Sequence, residues 1–128
     1  MKPKLLFNAV QLGSPRDPDE GLRIGTVRYL PRGIRKQDYA RRDYFDIWLP
    51  ILAPSRDLLS QLKQGDLSPA KFFARYRSEM SQPEPRQVIQ LLAELATRTP
   101  ISIGCYCEDE STCHRSVLAE LIRKAAAK

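Results

Sequence analysis

Apolar positions fall into short alternating runs in the first half of the chain and into helical-period stripes in the second. Residues 5–10 form a brief apolar run suited to a buried strand, and the proline- and charge-rich stretch 13–21 reads as the loop after it. A second strand is expected over about residues 22–30, ended by Pro31-Arg32-Gly33. Phe45, Ile47, Leu49 and Ile51 alternate with Asp46, Trp48 and Pro50, which predicts a third extended piece. Pro50 places it at an edge or a strand end, because proline cannot donate to a ladder.

Helices fill the rest. Ser55 stands before Leu58, Leu59 and Leu62 as an N-cap, with Asp57 in the first turn and Gly65 as the stop. Ser68-Pro69 opens the next helix, whose stripe is Phe72, Phe73, Tyr76 and Met80. After Pro83 and Pro85, Val88, Leu91, Leu92, Leu95 and Ala96 recur at helical spacing, and these stripes read as core. Ile101, Ile103, Cys105 and Cys107 then alternate as in a buried strand near its C-terminal end. Ser111 or Thr112 caps a last helix with Val117, Leu118, Leu121, Ile122 and Ala125 on its apolar face. Helix, strand, helix in that order predicts a parallel crossover unit. The fold class is α/β, with a small, mainly parallel sheet of about four strands packed against about four helices. Residues 1–128 are read as a single domain.

Composition adds exclusions. No apolar run approaches the roughly 18 residues of a membrane span, and the N-terminal apolar stretch is too brief for a secretory signal, so a cytoplasmic protein without membrane contact is expected. The three cysteines all lie between positions 105 and 113, a poor layout for a stapled extracellular scaffold. They are read as free thiols or ligands, with a regulatory Cys107–Cys113 disulfide as an alternative. The net charge of +6 is localised: Arg23, Arg28, Arg32, Arg35, Lys36, Arg41 and Arg42 face only Asp38 within residues 23–42. Such a segment attracts phosphates on a nucleotide or a nucleic acid, or is a solvated basic loop.

The most informative stretch is 105–116, which holds every cysteine and the one histidine. In open parallel sheets ligands sit beyond the carboxyl ends of the strands, and this turn is expected there. One reading is an activated thiol: Cys113 in the first turn of a helix, favoured as thiolate by the backbone N–H groups and Arg115, with His114 exchanging protons. Against it stand Glu108, Asp109 and Glu110, which raise a neighbouring thiol's pKa, and the Cys107–Arg115 spacing, which is too long for a phosphatase loop. A second reading is zinc held by Cys105, Cys107, Cys113 and His114. The ligand count fits, but adjacent side chains on a helix diverge by about 100°. In the third, the cysteines are small buried hydrophobes and His114 and Arg115 hydrogen-bond nearby loops.

The chain also resembles the YeaO-like family of bacterial proteins, a domain of unknown function. The markers are Pro31-Arg32-Gly33-Ile34 with a following lysine, Ala53-Pro54-Ser55, the 73–76 helix ending near Glu79-Met80, and Cys113-His114-Arg115. The resemblance implies an α/β fold, a strand-end cysteine at Cys105 that accompanies the triplet, an arginine at Arg28 before the Pro-Arg-Gly turn, and a site near the triplet. Two departures stand out: Cys107 where relatives often carry an acid, and Val27-Arg28-Tyr29-Leu30 where many have Asp-Arg-Leu-Trp.

The leading expectation is a domain that binds an anionic small molecule or nucleotide. Cys113, His114 and Arg115 are its catalytic candidates, and Arg28, Arg32, Cys105, Cys107 and Ser116 its substrate-binding ones, with no metal and no cofactor. The alternatives are a nucleic-acid module using residues 23–42 with Tyr29, Tyr39 and Tyr44 as stacking surfaces, a structural zinc site at the cysteines, and an interaction domain without chemistry. Nothing in the sequence indicates the oligomeric state.

Overall fold

A computed structural model describes residues 5–107 and 113–127. Four parallel strands, β1 (Phe7–Gln11), β2 (Leu22–Gly25), β3 (Ile47–Trp48) and β4 (Ile101–Cys105), lie in the order β1-β4-β2-β3. Four helices, α1 (Arg56–Lys63), α2 (Pro69–Met80), α3 (Pro83–Leu95) and α4 (His114–Ala126), complete the fold. The small, parallel α/β architecture read from the sequence is the one observed. No helix among the described residues is long and apolar enough to cross a membrane.

Local chemistry sets the helix starts. Ser55 and Ser68 each accept from the backbone N–H three residues on, satisfying a donor that the helix leaves unpaired. Helix α3 begins at Pro83 rather than after Pro85, because a proline in the first turn lacks only an N–H that would have had no partner. Helix α4 begins at His114 with Cys113 in the cap position, extended at φ −110° and ψ 147°, and without a side-chain cap. The expected caps Ser111 and Thr112 lie outside the described residues.

Two strands are shorter than their alternation suggests. β2 stops at Gly25 instead of continuing to residue 30, because its neighbour β4 ends at Gly104 and Cys105 and offers no further ladder. Thr26 closes the pairing by donating both its N–H and its hydroxyl to the Gly104 carbonyl, each at 3.0 Å. β3 is only Ile47–Trp48, and Pro50 opens a 3₁₀ turn in place of further strand. Likewise β4 ends at Cys105, so Cys107 is exposed beyond it.

The two faces of the sheet are covered differently. Ile24, Ile101 and Ile103 pack under the helices with Phe72, Tyr76, Leu92, Leu118 and Ile122. On the other face loops lie directly on the strands, and glycines let them approach. A Cβ at Gly104 would stand 2.4 Å from Leu12 Cδ2, and one at Gly25 the same distance from Phe45 Cδ2. Beneath these loops Arg23 is fully buried, pairing with Glu20 at 2.7 Å and donating to the Ser14 and Asp43 carbonyls. The Gly25→Ala variant should therefore lose about 1–3 kcal/mol by forcing the rigid Phe45 ring aside. An unchanged or higher urea midpoint would show that the loop does not rest on the strand.

Candidate functional site

At the carboxyl edge of the sheet the first turn of α4 is tied to two strand ends by Arg115. Its Nη1 donates to the Val10 and Cys107 carbonyls at 2.9 and 2.8 Å, with the Cys105 carbonyl at 3.4 Å. The side chain is buried at 3% exposure. These contacts make Arg115 a positioning residue for the turn. Ser116 Oγ donates to the Cys113 carbonyl at 2.9 Å, holding the same turn from the other side.

That clamp sets Cys113 and His114 against the end of β2. The imidazole Nε2 lies 2.7 Å from the Thr26 carbonyl oxygen. A carbonyl only accepts, so Nε2 carries the proton. Burial pushes the imidazole pKa down to about 4, with Arg115 acting the same way and the Thr26 bond opposing both. The ring is therefore neutral near pH 7, and Nδ1 keeps a bare lone pair. Cys113 Sγ lies 3.7 Å from that nitrogen. Tyr76 supports the ring edge-on at 5.2 Å between centroids, and its own hydroxyl is anchored on the Leu52 carbonyl at 2.6 Å.

Both Cys105 and Cys113 are buried beside Leu12, Val27 and Phe45, and their sulfurs are bonded to each other. This corrects the expectation of three free thiols, and the pairing is not the Cys107–Cys113 alternative. The reason is geometric: Cys105, the last residue of β4, sits beneath the α4 cap, whereas the chain at Cys107 has left the sheet. Cys107 is the free, exposed thiol.

A cavity of about 350 Å³ opens beside this cluster. Cys105, Cys107, His114 and Arg28 line it together with Lys63 and an apolar wall that includes Val27, Tyr29, Leu59 and Leu62. Arg28 donates through Nε and Nη2 to the Pro54 and Ala53 carbonyls, and Nη1 has no hydrogen bond among the described residues. Lys63, exposed at the end of α1, has no ion pair among the described residues. Tyr106 donates its phenol to the Tyr29 carbonyl at 2.8 Å and separates this cavity from a second hollow of about 360 Å³. Arg32 borders that second hollow and not the first. Cys113, Arg115 and Ser116 stand behind the cavity wall rather than in it.

The basic segment is divided by its partners. Arg23 is interior, Arg28 leans on the residue 53–54 carbonyls, and Arg35 and Arg41 share Asp38. The loop 52–55 gathers several such contacts. Tyr76 reaches its Leu52 carbonyl, Glu79 Oε1 accepts from the Ser55 N–H at 2.9 Å, and Arg28 holds the two carbonyls between.

Residues 7–126 match the DUF488-N3a family, described as the active DUF488-N3 subclade. The chain belongs to the DUF488-N3a family. It is 30% identical over 109 residues to the uncharacterized protein YeaO of Escherichia coli K12, covering 85% of this chain and 90% of YeaO. It is 28% identical over 106 residues to the uncharacterized proteins Mb3100c of Mycobacterium bovis and Rv3073c of Mycobacterium tuberculosis, covering 83% of this chain and 84% of each. No solved structure matches it. The YeaO-like resemblance drawn from the sequence motifs is thus shown.

Several residues around this cavity give no clear signal in sequence. Thr26 and Lys63 lack any motif, and Tyr76 and Tyr106 read as core and strand. A buried tyrosine in an otherwise apolar stripe is the one available hint, since its hydroxyl needs a partner. The depressed imidazole pKa has a measurable consequence. In the unfolded chain His114 takes its proton near 6.5 and in the fold only near 4, so stability should fall as pH drops through that window. Relative to His114→Gln, the wild type should lose about 3 kcal/mol between pH 7 and 4. Parallel urea midpoints for the two proteins across that range would contradict the buried neutral ring.

Proposed function

We propose that the cavity takes a small molecule with an anionic group and an apolar body, and that the Cys105–Cys113 pair reacts with it by thiol–disulfide exchange. The observation that carries this reading is the layered arrangement of the sulfurs. Cys105 borders the cavity, Cys113 lies behind it, and the bare Nδ1 of His114 faces the inner sulfur. Arg28 Nη1 and Lys63 supply the positive charge, and Leu59, Leu62 and Tyr29 supply the apolar surface. Arg32 borders the second hollow across the Tyr106 partition and would meet only a ligand long enough to pass it. The description of the family as the active subclade agrees with retained chemistry.

The step balances without a further oxidant. An incoming thiolate attacks Cys105 Sγ, the Cys105–Cys113 bond breaks, and the electron pair leaves on Cys113, which takes a proton from solvent and donates it as a hydrogen bond to Nδ1. A second ligand thiol then displaces the first from Cys105, releasing a ligand disulfide and leaving the protein dithiol. In the reverse direction Nδ1 draws on the Cys113 proton as that sulfur attacks the mixed disulfide. Attack is drawn at Cys105 because it alone of the pair lines the cavity, although its side chain is as buried as that of Cys113 and must be uncovered by a small movement of the wall.

A Cys107→Ser, Cys113→Ser protein exposed to the disulfide of mercaptoacetate should accumulate the mercaptoacetate adduct on Cys105, read by mass spectrometry. The neutral disulfide of mercaptoethanol should react more slowly, and Lys63→Glu should slow the anionic reagent by roughly fivefold, the size of a partly exposed charge contact. Failure of Cys105 to react in the folded variant, or equal rates for the two reagents, would overturn the proposal.

A further inference from the structure

We infer that the reduced pair, Cys105 and Cys113, together with His114 Nδ1, forms a binding site for a zinc-class transition-metal ion with one coordination position open to the cavity. The three ligand atoms lie within 4.8 Å of one another, and all three side chains are buried. Two thiolates and one imidazole are a soft and borderline donor set, suited to zinc and unsuited to calcium or magnesium.

The objection from sequence was that neighbouring ligands on a helix point about 100° apart. It does not apply, because Cys113 is the extended cap residue and only His114 is helical. Sγ and Nδ1 thereby converge to 3.7 Å, a separation that two ligands of one tetrahedral ion adopt when each bond is about 2.0–2.3 Å long. Once the Cys105–Cys113 bond is reduced, each thiolate can turn about its own χ1 from Cα atoms 7.7 Å apart and make room for an ion between them.

The surroundings are those of a metal ligand. His114 donates its other ring nitrogen to the Thr26 carbonyl at 2.7 Å, which fixes the tautomer and aims the Nδ1 lone pair. Binding would form two metal–sulfur bonds and one metal–nitrogen bond and release both thiol protons to solvent. The resulting centre, a divalent ion with two thiolates, carries no net charge, which suits a buried position. Since Cys105 and His114 both border the cavity, the fourth position faces it. Cys107, which sequence counting enlists as the fourth ligand, takes no part. The site goes beyond the exchange reaction and uses the same sulfurs in their reduced state.

Cobalt(II) added to the reduced, chelator-stripped protein tests the site directly. Wild type and Cys107→Ser should each bind a single ion with the sulfur-to-cobalt charge-transfer band and the strong visible bands of a tetrahedral site, and zinc should displace it. Cys105→Ser and Cys113→Ser should lose most of the charge-transfer intensity, and His114→Gln should bind more than tenfold more weakly, since loss of an outer-shell partner alone costs roughly 10–100-fold. Circular dichroism confirms that each variant is folded. A folded, reduced wild type without the band, or a band abolished by Cys107→Ser, would overturn the inference. Mercaptoacetate exchange measured alongside in chelator separates the two readings: exchange without cobalt binding removes only the metal site, and cobalt binding without exchange removes only the reaction.

Discussion

The site depends on one hydrogen bond, from the His114 ring to the carbonyl of Thr26. Thr26 follows the last residue of β2 and spends its N–H and hydroxyl on Gly104, so its carbonyl alone remains to face α4. Because that oxygen can only accept, it decides which imidazole nitrogen is protonated and turns the other toward sulfur. The chemistry proposed for the turn and the ion placed in it both require that lone pair. Two supports keep the ring there: the edge of Tyr76, whose hydroxyl is held by Leu52, and the Arg115 clamp on the ends of β1 and β4.

This arrangement explains why separate stretches of sequence act together. The residue 52–55 loop, the end of α2 and Arg28 look unrelated along the chain, yet Glu79, Tyr76 and Arg28 all bond to the backbone of that loop. The loop in turn forms part of the cavity wall through Pro54. Parallel strands leave their carboxyl ends at one edge, and that edge collects Thr26, Cys105 and the start of α4.

Features governed by nearest neighbours could be read directly. Ser55 and Ser68 announce their helices because capping needs only the next turn, and the stripes on α2 and α4 follow from period. On α3, by contrast, the expected Leu91 and Leu95 are exposed, and Ile89 and Ala93 are buried beside Leu92 instead. Strand ends were harder, because β2 stops where its partner β4 stops and residues 26–30 retain an apolar look without a ladder. Arg23 looked like part of a basic surface until its buried partner Glu20 was known. The pairing of Cys105 with Cys113 depends on the extended backbone at residue 113, which no periodicity reports. Function was legible only as a location, the turn after the last strand, and not as a reaction.

The single histidine makes the central claim open to direct observation. Long-range nitrogen–proton correlation spectra of the protein labelled with nitrogen-15 histidine, recorded near neutral pH, contain one imidazole and report its tautomer. The expected spectrum shows a proton on Nε2 and a bare, acceptor-like Nδ1. A ring protonated at Nδ1 would mean that no lone pair faces the sulfurs, and the arrangement described for this site would be contradicted at its base.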